Sequence, residues 1–220
     1  MSTRKPGRDA DAAREAILGA AEGVFAEHGF AGARIDNIAT SAGYNKSLIF
    51  HYFGDKLELY RAVVARLKGE MQGQLSDVVA PYMELDGEPT AAQVRDLTEG
   101  TVRLLFDYYR SHPRMLRILC WEAAEGWVTF TRMGLEHDNA EWAVAPGGFL
   151  QRARTAGVLR ADVDPVLLIA NILGMTQIYL ASIPQYRELF PDAALDTDAA
   201  LDMAREQIVG LILHGALSAG

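Results

Sequence analysis

Apolar residues recur at helical spacing along nearly the whole chain, and nowhere do they alternate. From Asp55 to Val79, the residues Tyr60, Val63, Val64, Leu67, Met71, Leu75 and Val78 repeat at intervals of three and four. A helix turns once in about 3.6 residues, so this spacing puts them on one stripe. Residues 11–28 do the same with Ile17, Leu18, Ala21, Val24 and Phe25. A strand with one buried face needs a period of two, and no stretch supplies it. No repeat of solenoid length and no low-complexity tract is present either. The chain is therefore expected to be all-α.

Capping residues and breakers divide it. His28-Gly29 reads as the end of the first helix, with glycine as its cap. Residues 35–42 form a short helix with Ile35, Ile38, Ala39 and Ala42 inward, and Ala42-Gly43-Tyr44 breaks it. Residues 45–53 form a second short helix. Asp55 with Glu58 has capping-box spacing and opens the long helix, which Pro81 is expected to end. Thr90 with Gln93 caps a helix to about Ser111, and Pro113 starts the next. Boundaries between 126 and 157 are not defined by the pattern. Asp164-Pro165 starts another helix, Pro184 and Pro191 bracket a loop, and a last helix runs from about 197 to 217.

Half of the 220 residues are apolar and 23% are charged, which suits a folded core and excludes a disordered chain. The single Cys120 excludes an internal disulfide framework. The basic start has no apolar run behind it, so no secretory signal is expected. The longest apolar stretch, Val166 to Ile183, is interrupted by Asn171, Gly174, Thr176 and Gln177. It is read as a buried helix, not a membrane span, and the expected compartment is cytoplasmic.

Three helices within 55 residues, the last two short and joined by a glycine turn, have helix-turn-helix arithmetic. In such a unit the second short helix enters the major groove of DNA. Ile49 and Phe53, four apart, can hold that helix from inside, while Lys46, Ser47 and Phe50 fall on other faces. Lys46 stands at the helix N-terminus, where backbone N–H groups also favour phosphate. An ordinary helical hairpin with a solvated lysine fits the spacing too.

The block GFAGARIDNIATSAGYNKSLIFHYFGDKLELY resembles the N-terminal helix-turn-helix of the TetR (tetracycline repressor-like) family. Gly29, Ile38-Ala39, Ala42-Gly43, the Lys46-to-Phe53 run and Lys56 carry the resemblance. The run Arg160-Ala-Asp162-Val-Asp164-Pro165 also looks like the family's C-terminal region. The resemblance implies a homodimer with two domains per subunit. Residues 1–54 would bind DNA, and residues 55–220 would form a helical ligand-binding and dimerisation domain. It also implies that Tyr44, Lys46, Ser47, Leu48, Phe50, His51 and Tyr52 face the groove or its phosphates, with Lys56 on phosphate at the start of the fourth helix. Two positions depart from the family pattern. Ala33-Arg34 stands where Thr or Ser is frequent, so Arg34 is expected to supply a charged contact while the N-cap is lost. Phe50 lacks the hydroxyl of a frequent Tyr, so it can touch a thymine methyl but cannot hydrogen-bond. Arg4, Lys5 and Arg8 form a basic arm, either bound to DNA or a free tail.

A regulator needs an input. Residues 104–142 concentrate large apolar groups, and Phe106, Tyr109, Trp121, Trp127, Phe130, Met133 and Trp142 are candidates for an effector pocket. Met175 and Tyr179 join them from a later helix. Such side chains line adaptable apolar pockets, although most also serve as plain core. Helices 165–183 and 197–217 are apolar on more than one face and need cover, which a dimer partner supplies. In the resemblance the long helix 55–79 links the two domains and acts as a lever.

The expected partners are a double-stranded pseudo-palindromic operator, an apolar or aromatic small molecule, and a second copy of the chain. No membrane partner, cofactor, metal or catalytic residue is expected. The five histidines form no HxxxH pair, and no nucleophile elbow or phosphate loop is present. Glu136-His137-Asp138 with Glu141 could hold a metal but reads better as a solvated face. Two alternatives stay open: a ligand-independent architectural DNA-binding protein, and a helical enzyme.

The formal charge of −8 seems to argue against nucleic acid. Its distribution removes the objection. Residues 1–60 hold seven Lys and Arg against eight Asp and Glu, so most of the acidity lies beyond the DNA-binding segment.

Overall fold

The computed structural model describes residues 6–83, 85, 87–134 and 141–218; the side chains of 6–9 and 141–145 lie outside that description. Among the described residues every regular element is helical, with one isolated bridge between Leu159 and Leu217. The helices are α1 (Pro6–Gly32), α2 (Ile35–Ala42), α3 (Lys46–Phe53), α4 (Lys56–Met83), α5 (Ala91–Ser111), α6 (Pro113–Ala124), α7 (Val128–Met133), α8 (Glu141–Thr155), α9 (Pro165–Ala181), α10 (Ile183–Leu189) and α11 (Asp198–Ala216).

The punctuation acts as expected at most ends. Thr90 and Gln93 form a reciprocal capping box, and Asp164 accepts from the N–H groups of Val166 and Leu167. Asp55 Oδ1 accepts from Glu58 N–H at 2.9 Å. Three expectations are corrected. α1 starts at Pro6 instead of near residue 11, since proline suits a first helical turn. α4 continues two residues past Pro81, because a proline in the last turn removes only one bond. The segment bracketed by Pro184 and Pro191 is mostly α10, with Pro184 in its first turn, followed by a short 3₁₀ turn.

The chain forms two compact units. One comprises residues 1–69 and 113–135, the other 70–112 and 136–220. The division differs from the sequence-based boundary at 54/55: it passes through α4 and places α6 and α7 with the first three helices.

In the first unit, α1 packs on α2 and α6. Its core includes Ile17, Ala21, Phe25, Ile38, Ile49, Phe53, Leu59, Tyr60 and Val63. Gly29 interrupts α1 at φ 65°, ψ 177°, a conformation open in practice only to glycine. Trp121 of α6 lies against it: a Cβ at Gly29 would stand 3.0 Å from the indole ring. The indole Nε1–H donates to Ala26 O at 3.2 Å, so the ring is held there.

This unit also buries a carboxyl group. Glu122 is 1% exposed. The Tyr60 hydroxyl donates to its Oε1 at 2.7 Å, and Phe130 N–H donates to its Oε2 at 3.3 Å. Burial, then the Glu122 contact, pushes the Tyr60 hydroxyl far above its ordinary pKa. Lys68 lies over the Phe130 ring at 4.6 Å. Burial lowers its pKa, and the charge of Glu122 opposes that shift. A buried acceptor needs such donors, because an unpaired one costs the full desolvation of the group.

In the second unit, α5 packs on α9 and α11, and α9 on α8. A ladder of charges joins α5 to α11. Arg103 reaches Glu206 at 2.8 Å, Arg110 reaches Asp198 at 2.6 Å and Asp202 at 2.9 Å, and Arg205 reaches Asp107 at 2.7 Å. The Arg103 hydrogen bond holds the Glu206 carboxyl at about 2. Among the described residues no single helix is long and apolar enough to cross a membrane, and the α9–α10 pair bends by 61°. The expected buried helix at Val166–Ile183 is half right. Leu168, Ile172, Thr176 and Leu180 are buried, but Val166, Leu167 and Ile178 are exposed.

Candidate nucleic-acid interface and effector cavity

The candidate interface is built from α2, α3 and the turn between them. Gly43 caps α2 at φ 73°, ψ 23°, and the Tyr44 N–H closes on Ala39 O at 3.1 Å. This left-handed turn is cheap only for glycine, and it sets the angle between the two helices. Asn45 then caps α3, its side chain accepting from Leu48 N–H at 2.9 Å. Ile49 and Phe53 are buried and fix the rotation of α3. That rotation leaves Tyr44, Lys46, Ser47, Phe50 and His51 exposed, with Leu48 and Tyr52 half-buried. Phe50, at 45% exposed, is a large apolar ring with no core function. The spacing argument put Lys46, Ser47 and Phe50 away from the two anchors, and all three are exposed.

Arg34 is exposed at the N-cap of α2, in extended conformation, and makes no side-chain cap bond. The loss of a capping residue expected there is what the structure contains. Among the described residues no carboxylate lies within ion-pair distance of Arg34. Lys56 begins α4. Its Nζ sits 4.7 Å from the Phe30 ring centroid and donates to Ala31 O at 3.4 Å. Burial lowers its pKa, opposed by the charge of Glu125. Lys46 meets a neighbour that the sequence did not indicate: its Nζ is 2.6 Å from Asp36 Oδ1 in the first turn of α2. Arg4 and Lys5 of the basic arm, and the Arg8 side chain, lie outside the described residues.

The effector candidates are divided between the two units. Trp121, Trp127, Phe130 and Met133 lie in the first unit, whereas Phe106, Tyr109, Met175 and Tyr179 lie in the second. Trp121 and Trp127 are partly exposed, and Phe130 and Met133 are core. The Tyr109 hydroxyl accepts from Gln177 Nε2 at 3.0 Å, and burial pushes its pKa up to about 12. Met175 and Tyr179 border an open groove with Tyr186, Ile208 and Leu211. The Trp142 side chain lies outside the described residues, as do Glu136, His137 and Asp138. No group of three metal-binding side chains occurs among the described residues.

A different set of residues lines a partly enclosed space in the second unit. Leu75 and Val79 of α4, Leu97, Thr98, Thr101 and Leu105 of α5, Pro146 and Leu150 of α8, and Ile169, Ile172 and Leu173 of α9 line it. Its free volume is about 30 Å³, about the share of one water molecule. Two threonine hydroxyls are the polar side-chain groups in the wall. Sequence reasoning passed over these positions because leucines at helical spacing look the same whether they fill a core or line a cavity.

Residues 17–63 match the family described as bacterial regulatory proteins, tetR family, and residues 94–212 match the tetracyclin repressor-like C-terminal domain. The chain is 39% identical over 201 residues to the HTH-type transcriptional repressor SCO4008 of Streptomyces coelicolor, covering 91% of this chain and 93% of that protein. The crystal structure of the regulator SCO4942 from Streptomyces coelicolor aligns with TM-score 0.61 at 26% identity, over 92% of this chain and 97% of that one. SmeT, the repressor of a Stenotrophomonas maltophilia multidrug efflux pump, shares the fold in its triclosan complex, with TM-score 0.62 at 23% identity over 95% and 93% of the two chains. These proteins are regulators, and the helical-enzyme alternative falls with them. On the match across both segments, the chain belongs to the TetR family of bacterial regulatory proteins.

Proposed function

We propose that the chain is a ligand-responsive repressor that holds a pseudo-palindromic operator as a homodimer and releases it when an apolar small molecule binds. The observation that carries the reading is the outer face of α3. Lys46, Ser47, Phe50 and His51 are exposed together on a helix fixed by Ile49 and Phe53, and Tyr44 is exposed in the turn before it. Phe50 touches a thymine methyl, Ser47 and His51 reach base edges or phosphate, and Leu48 and Tyr52 flank them. Arg34 and Lys56 take backbone phosphates on either side. Residues 1–54 serve DNA binding, and the rest serves effector binding and dimerisation.

Dimerisation is supported by apolar surface on α9 and α11. Val166, Leu167, Ile178, Met203 and Leu211 are each more than half exposed in the single chain. A second copy covers them and sets the spacing of the two α3 helices for successive major grooves.

The effector enters the cavity lined by α4, α5, α8 and α9. It is a neutral molecule, because the wall offers no charge to pair one. Thr98 and Thr101 supply its polar contacts. Entry requires the cavity to widen, and a ligand shifts the protein only through its preference for the widened state. This favours a sensor over the architectural alternative. SmeT is a relative known in complex with a small molecule, triclosan.

The test is selection of bound fragments from the genomic DNA of the source organism, followed by a mobility shift on the recovered duplex. The expected result is two chains per duplex and loss of the shift with one neutral apolar compound in a screen. Binding that no such compound relieves supports the architectural reading.

A further inference from the structure

Arg14 of α1 stands beside the C-terminal end of α3. Its guanidinium carbon lies over the Phe53 ring, 5.5 Å from the centroid. Phe53 is the last residue of α3 and one of the two side chains that fix its rotation. Arg14 itself is exposed. Among the described residues it has neither an ion pair nor a hydrogen-bond acceptor. Other cations of this unit are occupied: Lys46 by Asp36, Arg61 by Glu58, Arg66 by Glu15 and Glu22, and Arg114 by Glu22. A guanidinium that rests its face on a ring keeps the N–H donors along its edge. Arg14 therefore offers a positioned, unpaired fork, and such a fork fits phosphate in bidentate fashion.

The place of the fork decides what it meets. α3 has eight residues, so it is about 12 Å long, comparable to the width of a major groove. With α3 in the groove, a cation at either end comes within a side chain's reach of a phosphate strand. Lys46 stands at the end where α3 begins. At the other end Lys56 already donates to Ala31 O at 3.4 Å and faces the Phe30 ring at 4.7 Å. Arg14 brings to that end a charge with no carbonyl or carboxylate on it. It lies ahead of the motif that begins at Gly29, so sequence reasoning did not reach it. We propose that Arg14 is a DNA-backbone contact: α1 holds its guanidinium on the Phe53 ring, and the free edge takes a phosphate at the C-terminal end of α3. The inference rests on the reading of α3 as the groove helix and adds to it a contact from α1.

The experiment follows binding of the full chain to the genome-selected duplex by fluorescence anisotropy across a salt series, for wild type, Arg14→Met, Arg34→Ala and Lys46→Ala. Methionine keeps apolar cover over Phe53 and removes the charge. Arg14→Met is expected to bind about tenfold more weakly, with a log–log salt slope shallower by about one per bound chain. A second series uses duplexes in which one phosphate at a time is replaced by an uncharged methylphosphonate. One such linkage per half-site is expected to cost wild type about tenfold and Arg14→Met nothing further, a coupling that a packing role of Arg14 would not produce. Should Arg14→Met melt below the assay temperature, Arg14→Gln takes its place and is read the same way. An Arg14→Met slope equal to that of wild type, or the absence of any linkage that weakens wild type and spares the variant, overturns the proposal. Shallower slopes in Arg34→Ala and Lys46→Ala with a wild-type slope in Arg14→Met overturn this inference alone. Wild-type slopes in all three variants overturn the groove-helix reading, and this inference with it.

Discussion

Glu122→Ala is expected to destabilise the first unit by about 3–5 kcal/mol, the usual cost of removing one member of a buried charged network. The substitution strips acceptors from the Tyr60 hydroxyl and the Phe130 N–H, both buried. It also removes the carboxyl group whose charge favours the ammonium form of the half-buried Lys68. Glu122→Gln keeps one acceptor oxygen but turns an amide donor toward a second donor, so it should cost less, about 1–3 kcal/mol. Denaturant titration followed by tryptophan fluorescence reports this, since Trp121 and Trp127 lie in the same unit. An alanine variant as stable as wild type would show that these bonds contribute nothing net. α4, α6 and α7 meet at Glu122, so the loss should also loosen the α4 segment that carries Lys56.

Gly29→Ala has the second large expected effect, about 3 kcal/mol. Its backbone is one that side chains adopt only with strain, and the new Cβ would meet the Trp121 ring at 3.0 Å. The ring has little freedom to retreat while its N–H holds Ala26 O. The clash and the strain are separable. In a Trp121→Ala background the glycine substitution should cost markedly less, leaving the backbone term. Additive costs in the thermal melts of the double variant would mean the indole does not limit this position.

Much of the first unit was legible because its information is local. Gly43, Asn45 and Asp55 act within a turn of where they stand, and Ile49 with Phe53 fixes the face of α3 without help from distant residues. Arg34 as an uncapped start of α2 was readable for the same reason. Glu122 was not, since nothing within ILCWEAA indicates that Tyr60, 62 positions earlier, waits with a hydroxyl. Asp36 was hidden likewise, because a first-turn aspartate is ordinary until the neighbouring helix delivers a lysine to it. The aromatic cluster misled in a different way. Trp121, Trp127 and Phe130 are neighbours of Phe106 and Tyr109 in sequence, yet the compact units part between 112 and 113. α6 goes to α1, and Trp121 serves its packing. Pro184 was read as a loop boundary although proline starts helices as readily as it ends them.

The charge of the chain now has a physical place. The acidic excess belongs mainly to residues beyond 60, and within the DNA-binding segment Asp36 blunts one of the cations expected at phosphate.

The central claim is that α3 and the start of α2 face DNA. Its most direct test is the salt dependence of binding to the selected duplex for wild type, Arg34→Ala and Lys46→Ala. Each alanine variant is predicted to bind more weakly, with a log–log salt slope shallower by about one, the signature of one lost phosphate contact. Affinity and slope unchanged in both variants would contradict this docking.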